Sequence, residues 1–273
     1  MSAAPQNRLA QGLAGDHAAA TEVPQSVSRA LLLKVTALSC LRGNGPLAYR
    51  IDLPRLSLHA GEVVAVTGAS GSGKSTLLEV LGLVAAPHRD SAMIWHGPGD
   101  PIDLSALWRR NAQHRLAQLR AACIGFVMQT GGLLPFLTVR DNLLINRRLL
   151  GRSERDAHLE RLVDCLELGP FLNAYPSALS VGQQQRASIG RALAHRPALL
   201  LADEPTSALD PRLADRVLSL LLDMANEIGT AVLLATHEQG RVQALGLRRL
   251  DALVADSTDS RTGAHAVFTE PQP

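Results

Sequence analysis

Cysteine is scarce in this chain, lysine is scarcer, and long apolar runs do not occur. The 273 residues hold three cysteines, Cys40, Cys123 and Cys165. They are far apart and in no ligand spacing, which argues against a disulfide framework and a cysteine metal site. They read as small buried hydrophobes in a reducing compartment. The longest apolar stretches, such as LLEVLGLVAA and ALLLA, fall short of the roughly 20 residues that cross a bilayer, so any membrane role must run through a partner. Net charge is nearly absent, +2 from 27 basic and 25 acidic residues, and provides no field to gather nucleic acid or anionic lipid. No signal-peptide pattern occurs in the first 29 residues, which are expected to form a disordered arm. Only two lysines are present, Lys34 and Lys74, so the setting of Lys74 carries information.

Apolar residues make up 46% of the chain, enough to bury a full-sized core without staples. Residues from Ala30 onward, ALLLKVTAL, predict a strand, followed by a turn at RGNGP and a strand-like piece, YRIDLPRLSL. GEVVAVTG is a short β-branched run ending in glycine, and KSTLLEVLGLVAA has helical spacing. Residues 103–122 read as polar and partly helical, and CIGFVMQ resumes a strand. DNLLINRRLLG and SERDAHLERLVDCLELG predict amphipathic helices. VGQQQRASIGRALAHRP is a helix stopped by Pro197, before the buried strand ALLLADE. A long helix starts at Asp210 with Pro211 in its first turn, and TAVLLATHE follows as a strand. The tail from Ala264 shows little pattern. This alternation predicts an α/β fold with a mostly parallel sheet, an antiparallel β portion at the N-terminal side and an inserted helical subdomain at about 105–190. The expected division is an arm at 1–29, one main domain at 30–250, and a C-terminal edge and tail at 251–273.

The glycines in Gly68-Ala-Ser-Gly-Ser-Gly-Lys-Ser75 have a purpose because a strand precedes them and a helix follows. That order is a phosphate loop. Gly68, Gly71 and Gly73 permit a tight turn and a close phosphate approach. Ser70 sits in the same cradle, and the helix start adds unpaired N–H groups. Lys74 would reach the β- and γ-phosphates, Ser75 would ligate Mg²⁺, and Thr76 would contact the α-phosphate region. A nucleotide such as ATP is implied, although kinases, GTPases and transport ATPases all cradle phosphate this way.

Two carboxylates close the buried strand ALLLADE. Asp203 would help hold the Mg²⁺ that Ser75 ligates, and Glu204 would orient or deprotonate water. Gln129 and His237 end other strands of the same expected sheet and converge on the γ-phosphate side, Gln129 on metal or water and His237 on phosphate or a carbonyl. LSVGQQQR opens a helix with Ser180 as N-cap. Ser180, Gly182 and Gln183 form a second anion-receptive helix start more than 100 residues from the first. Two such ends point to two chains, head to tail, each sealing the other's nucleotide.

With these motifs in this order, residues of about 31–245 resemble the nucleotide-binding subunit of an ATP-binding cassette (ABC) transporter. GASGSGKST is similar to the Walker A motif, Gln129 to the Q-loop, LSVGQ to the signature, LLLADE to Walker B, SALD to the D-loop and His237 to the switch histidine. The resemblance implies a P-loop NTPase fold and a pair of subunits, a homodimer, closing on two ATP molecules. It also implies transmembrane permease partners, no nucleic acid, and a peripheral position on the cytoplasmic face of the cell membrane. Val181 stands where the signature has its first glycine. The family commonly stacks adenine on an aromatic after the first strand, and SCLRGNGPLAY offers Leu41 near that position and Tyr49 later. FVMQTGGLLPFLTVRDNLLI most resembles the branch of lipoprotein-release and macrolide-export ATPases. Two other readings stand beside this one: a soluble cassette ATPase remodelling nucleic acid or ribosomes, and a regulatory ATP-binding subunit.

Overall fold

The computed structural model describes residues 29–43, 48–97, 99–129, 132–255 and 264–271. The expected N-terminal arm and most of the RGNGP turn lie outside the described residues. The chain opens with β1 (Leu31–Arg42), β2 (Tyr49–Leu53) and β3 (Leu56–His59). The sequence predicts one strand-like piece over 49–58, and Pro54, which has no N–H to offer a ladder, divides it. β2 then pairs antiparallel with Leu38–Arg42 of β1, and β3 with Leu31–Val35.

β4 (Val63–Thr67) leads through the glycine loop into α1 (Lys74–Leu81). This helix is shorter than the apolar spacing predicts. Gly82 returns its N–H to Leu78, and Leu83 turns left-handed at φ 59°, which ends the helix despite the apolar residues that follow. Next come β5 (Ala92–Trp95), β6 (Ile102–Asp103), α2 (Leu104–Arg109), α3 (Gln113–Cys123) and β7 (Ile124–Val127). A helical block follows, α4 (Val139–Leu149), α5 (Ala157–Cys165) and α6 (Val181–Leu193). The helical stretch expected at 105–190 is therefore interrupted by β7, which belongs to the sheet.

β8 (Leu199–Asp203), α7 (Pro211–Ile228), β9 (Ala231–Thr236), α8 (Gln239–Ala244), β10 (Arg248–Ala255) and β11 (His265–Thr269) complete the chain. Asp210 caps α7 by accepting the Leu213 N–H at 3.1 Å, Pro211 stands in its first turn, and Gly229 ends it in the left-handed region, the boundaries its sequence predicts.

Among the described residues the strands form one sheet in the order β6-β5-β1-β2-β11-β10-β4-β9-β8-β7, with β3 on β1. The run from β10 to β7 is parallel, and the β1, β2, β3, β5 and β6 side is antiparallel. The C-terminal segment expected as an edge and unpatterned tail lies inside this sheet. β10 runs parallel to β4, while β11 pairs with both β10 and β2. Its signal is short because Ala266 and Phe268 alone face the core, and alternation over five residues is easily overlooked.

Both faces of the parallel strands are covered. On β8, Leu199 and Leu201 join the core cluster around α1 and the antiparallel strands, while Leu200 and Ala202 join the cluster under α4–α7. A strand buried on both sides must be apolar throughout, which is why ALLLA does not alternate. Its first polar residue, Asp203, marks where the sheet ends and chemistry begins.

Candidate functional site

The C-terminal ends of the parallel strands lie side by side, Thr67 opposite Thr236 and Asp203 opposite Ala235. Strand ends in open α/β sheets are where ligands bind, because the backbone there turns away and leaves donors free. The loop after β4 carries Gly68, Gly71 and Gly73 at φ 155°, 77° and 88°. Gly73 is the helix N-cap and gives α1 no side-chain cap, so the first N–H groups of α1 have no partner on their own helix. A Cβ on Gly73 would come within 1.9 Å of the Tyr49 hydroxyl, and one on Gly68 within 2.7 Å of Ala252 Cβ. These glycines are required for space as well as for dihedral angle.

Lys74 is only 6% exposed, and its ammonium donates to the Gly68 and Ala69 carbonyls at 2.9 Å each. The cation is thus held over the loop, on carbonyls that a phosphate can replace. Asp203 is buried and close enough to Ser75 for the hydroxyl to act on its carboxyl group. Burial raises its carboxyl above the usual range, and the Glu204 and Glu79 charges add to this, while the nearby Ser75 hydroxyl and Lys74 pull it back. A buried carboxylate and a hydroxyl sharing one spot form an oxygen-only donor set that suits Mg²⁺. Ser72 Oγ beside them is buried and without a hydrogen-bond partner.

Glu204 takes φ 46°, a left-handed conformation that costs a non-glycine residue energy and recurs at functional positions. Its N–H bonds to Ala235 O at 2.9 Å, and Ser207 bonds its carbonyl through both N–H and Oγ. These bonds hold the turn and project the carboxylate. Gln129 Nε2 donates to Glu204 Oε2 at 3.3 Å, and His237 Nδ1 lies 3.2 Å from Oε1. Three residues 75 and 33 positions apart along the chain therefore meet at one carboxyl group. His237 itself is 63% exposed at its side chain.

The second helix start is built differently. Ser180 Oγ accepts the Gln183 N–H at 3.3 Å, and Gln183 Oε1 accepts the Ser180 N–H at 2.8 Å, a complete capping box. Val181 is 71% exposed. Among the described residues no hydrogen bond joins Ser180, Gly182 or Gln183 to the phosphate loop. Instead α6 rests on the D-loop segment, with Gln185 Nε2 bonded to Pro205 O at 3.2 Å and Gly182 facing Ala208 O. Ser70 and Thr76 lie in the loop and on α1 respectively, with no further side-chain bond recorded among the described residues.

A family model described as ABC transporter matches residues 52–207, more than half of the chain. The chain belongs to the ABC transporter family. The methionine import ATP-binding protein MetN of Mesorhizobium japonicum is 37% identical over 224 residues, 81% of this chain and 58% of MetN. The lipoprotein-releasing system ATP-binding protein LolD of Aquifex aeolicus is 40% identical, over 67% of this chain and 79% of LolD. The macrolide export ATP-binding/permease protein MacB of Marinobacter nauticus is 44% identical, over 71% of this chain and 28% of MacB. This ABC chain spans under two thirds of the MetN relatives it matches. A solved structure described as "Dimeric Structure of MJ0796, a Bacterial ABC Transporter Cassette" superposes with a TM-score of 0.68 at 31% identity, covering 81% of this chain and 94% of that one. Import, release and export proteins all occur among these relatives, so the similarity assigns no direction of transport. No helix among the described residues is long and apolar enough to cross a membrane.

Two contributors to the ABC site carry no signal of their own in the sequence. Thr67 Oγ1 donates to Asp251 beneath the phosphate loop, and the strand pairing that brings them together appears only in the sheet. Asn142, fully buried, bonds Leu134, Leu137 and Thr138 and fixes the segment after Gln129. Tyr49 has its hydroxyl against Gly73 and its ring on the core, while Leu41 is 61% exposed.

Proposed function

We propose that the chain is the ATP-hydrolysing subunit of a membrane transporter, working as a head-to-tail pair. One observation carries this reading: Glu204 is held by Gln129 and His237 beside the Asp203–Ser75 pair, on strand ends that adjoin an uncapped phosphate loop. In this reading Lys74 leaves its two carbonyls for the β- and γ-phosphates. The backbone N–H groups of residues 70–76 surround the rest, with Ser70, Gly71, Gly73, Ser75 and Thr76 lining the cradle. Ser75, Asp203 and Gln129 would hold Mg²⁺, which when bound neutralises charge across the β- and γ-phosphates. Glu204 orients the attacking water and accepts its proton, and His237 bonds Glu204 or the γ-phosphate.

Ser180, Gly182 and Gln183 do not reach the chain's own loop, so they would complete the site of a second copy. The dimeric MJ0796 cassette supports that arrangement. In this reading the chain sits peripherally on the cytoplasmic face, bound to transmembrane permease subunits. A near-neutral net charge supports no nucleic-acid partner.

Glu204→Gln tests the reading. The amide keeps the shape of the site but cannot take a proton, so turnover should fall about 100- to 10,000-fold while ATP binding persists and an ATP-bound dimer accumulates. Turnover at the parental rate would refute the role of Glu204. Hydrolysis independent of protein concentration would refute the pair.

A further inference from the structure

The C-terminal hairpin of β10 and β11 has no part in the proposed cycle, yet it meets the phosphate loop at its root. Thr67 is the last residue of β4 and directly precedes Gly68. It is 1% exposed, and its register partner in the parallel ladder is Asp251 of β10. The Thr67 hydroxyl donates to Asp251 Oδ1. Arg249 Nε lies 3.2 Å from Asp251 Oδ2 and balances the charge at the other carboxyl oxygen. The next residue along β10 faces the opposite side of the sheet, and it grips the loop as well, because a Cβ on Gly68 would stand 2.7 Å from Ala252 Cβ. Two consecutive residues of β10 thus hold two consecutive residues where the loop begins.

In the free chain Lys74 also holds this point, through the Gly68 and Ala69 carbonyls. A bound phosphate draws the ammonium away from them. Among the described residues that leaves one backbone hydrogen bond within 68–73, from the Ser72 N–H to Ala69 O at 3.2 Å. A segment released at the moment it must be ordered lowers affinity by the free energy of fixing it. The root of the loop therefore needs a hold that the ligand does not displace.

We propose that Asp251 is a positioning residue for nucleotide binding. By fixing the Thr67 side chain it keeps the end of β4, and with it the Gly68 peptide, in the orientation that a bound phosphate requires once Lys74 has left. The proposal rests on the reading that Gly68–Ser75 cradles the phosphates of ATP. Asp251 is in turn held from its far side, since β11 pairs Thr269 with Asp251 and the fully buried Phe268 with Ala252. The hairpin is the footing of the loop.

The test uses the full-length chain with Mg-ATP. Thr67→Val keeps the shape of the side chain and removes the donor, Asp251→Ala removes the acceptor, and Asp251→Asn keeps an acceptor oxygen for the Thr67 hydroxyl. ATP affinity is measured by calorimetry, KM and kcat by steady-state turnover, and stability by urea unfolding without nucleotide. Thr67→Val and Asp251→Ala should each weaken ATP affinity about 10-fold, comparable to one hydrogen bond to a charged group. The double variant should lose no more than about 2-fold beyond either single one, because both remove the same contact. Asp251→Asn should return affinity to within about 3-fold of the parent. KM should rise while kcat stays within about 2-fold, since the Glu204 group stands at the ends of β7, β8 and β9.

Parental ATP affinity in both single variants would overturn the proposal. Additive losses in the double variant, losses that Asp251→Asn does not recover, or a fall in kcat at unchanged KM would overturn it too, since a merely structural defect gives those patterns. If Asp251→Ala does not fold, Thr67→Val, which leaves Asp251 with Arg249, decides by itself. If the parent binds no ATP, the phosphate reading falls, and hydrogen exchange of the free proteins decides whether Asp251 holds the loop. Residues 68–73 must then exchange at least about 5-fold faster in Thr67→Val than in the parent, and equal rates overturn the brace.

Discussion

The chain has two helix starts suited to an anion, and they are built in opposite ways. The start of α1 has a left-handed glycine and no side-chain cap, with Lys74 held close by on loop carbonyls. The start of α6 is closed by its own Ser180–Gln183 box, which leaves the Val181 and Gly182 N–H groups as spare donors. A helix that must cradle several phosphate oxygens cannot spend its donors on itself. A helix that adds one contact after another chain arrives can, and the box keeps it ordered until then. In the proposed pairing, one site is assembled within the chain, while the other half-site is completed on a second copy.

Acid should break the α6 half first, and this is the largest stability effect expected. His195, just past α6, is fully buried with both ring nitrogens unpartnered, and the Ile124 backbone approaches it without completing a hydrogen bond. Burial pushes its pKa from 6.5 down to about 4, and Arg152, Arg147 and Arg191 oppose its protonation. A depressed folded-state value means that the unfolded chain takes up a proton first. Stability from the neutral ring is complete above pH 6.5 and is lost as pH falls toward 4, by about 3 kcal/mol. Urea unfolding of parent and His195→Gln at pH 7.5 and 4 should show that extra loss in the parent alone.

On the α1 side, Lys74→Ala should weaken ATP binding about 10- to 100-fold, the worth of a charged hydrogen-bonding partner, with the fold intact. Calorimetry would show this, and parental affinity would remove Lys74 from the site. The smallest effect belongs to Ser180→Ala, which should cost about 1 kcal/mol of stability through the lost cap. It should leave monomer ATP affinity unchanged while lowering turnover only at protein concentrations where pairs form. Loss of monomer affinity in this variant would erase the distinction between the two helix starts.

Much of the site was legible because its residues are local words. Gly68 to Thr76 is a continuous loop whose glycines and Lys74 can be interpreted without the fold, and Asp203 and Glu204 end a run too apolar to be anything but a buried strand. Gln129 and His237 were legible only as strand ends. Their meeting at Glu204 needed the order β7-β8-β9, which pairs segments far apart in the chain. The C-terminal strands carry little local signal for the same reason, since β11 has only two buried residues and is held by β2 and β10.

The amino-acid sequence by itself determined the phosphate cradle, the carboxylate pair and the helix caps, because each depends on neighbours within about one turn or one loop. Only the tertiary structure decided that Asp251 braces Thr67, that Tyr49 turns its hydroxyl to Gly73, and that Arg191 holds Gly132. Those contacts join residues 184, 24 and 59 positions apart, and nothing in local propensity specifies them. They follow from sheet register and from the packing of α6 against the loop, where burial and geometry select the partner.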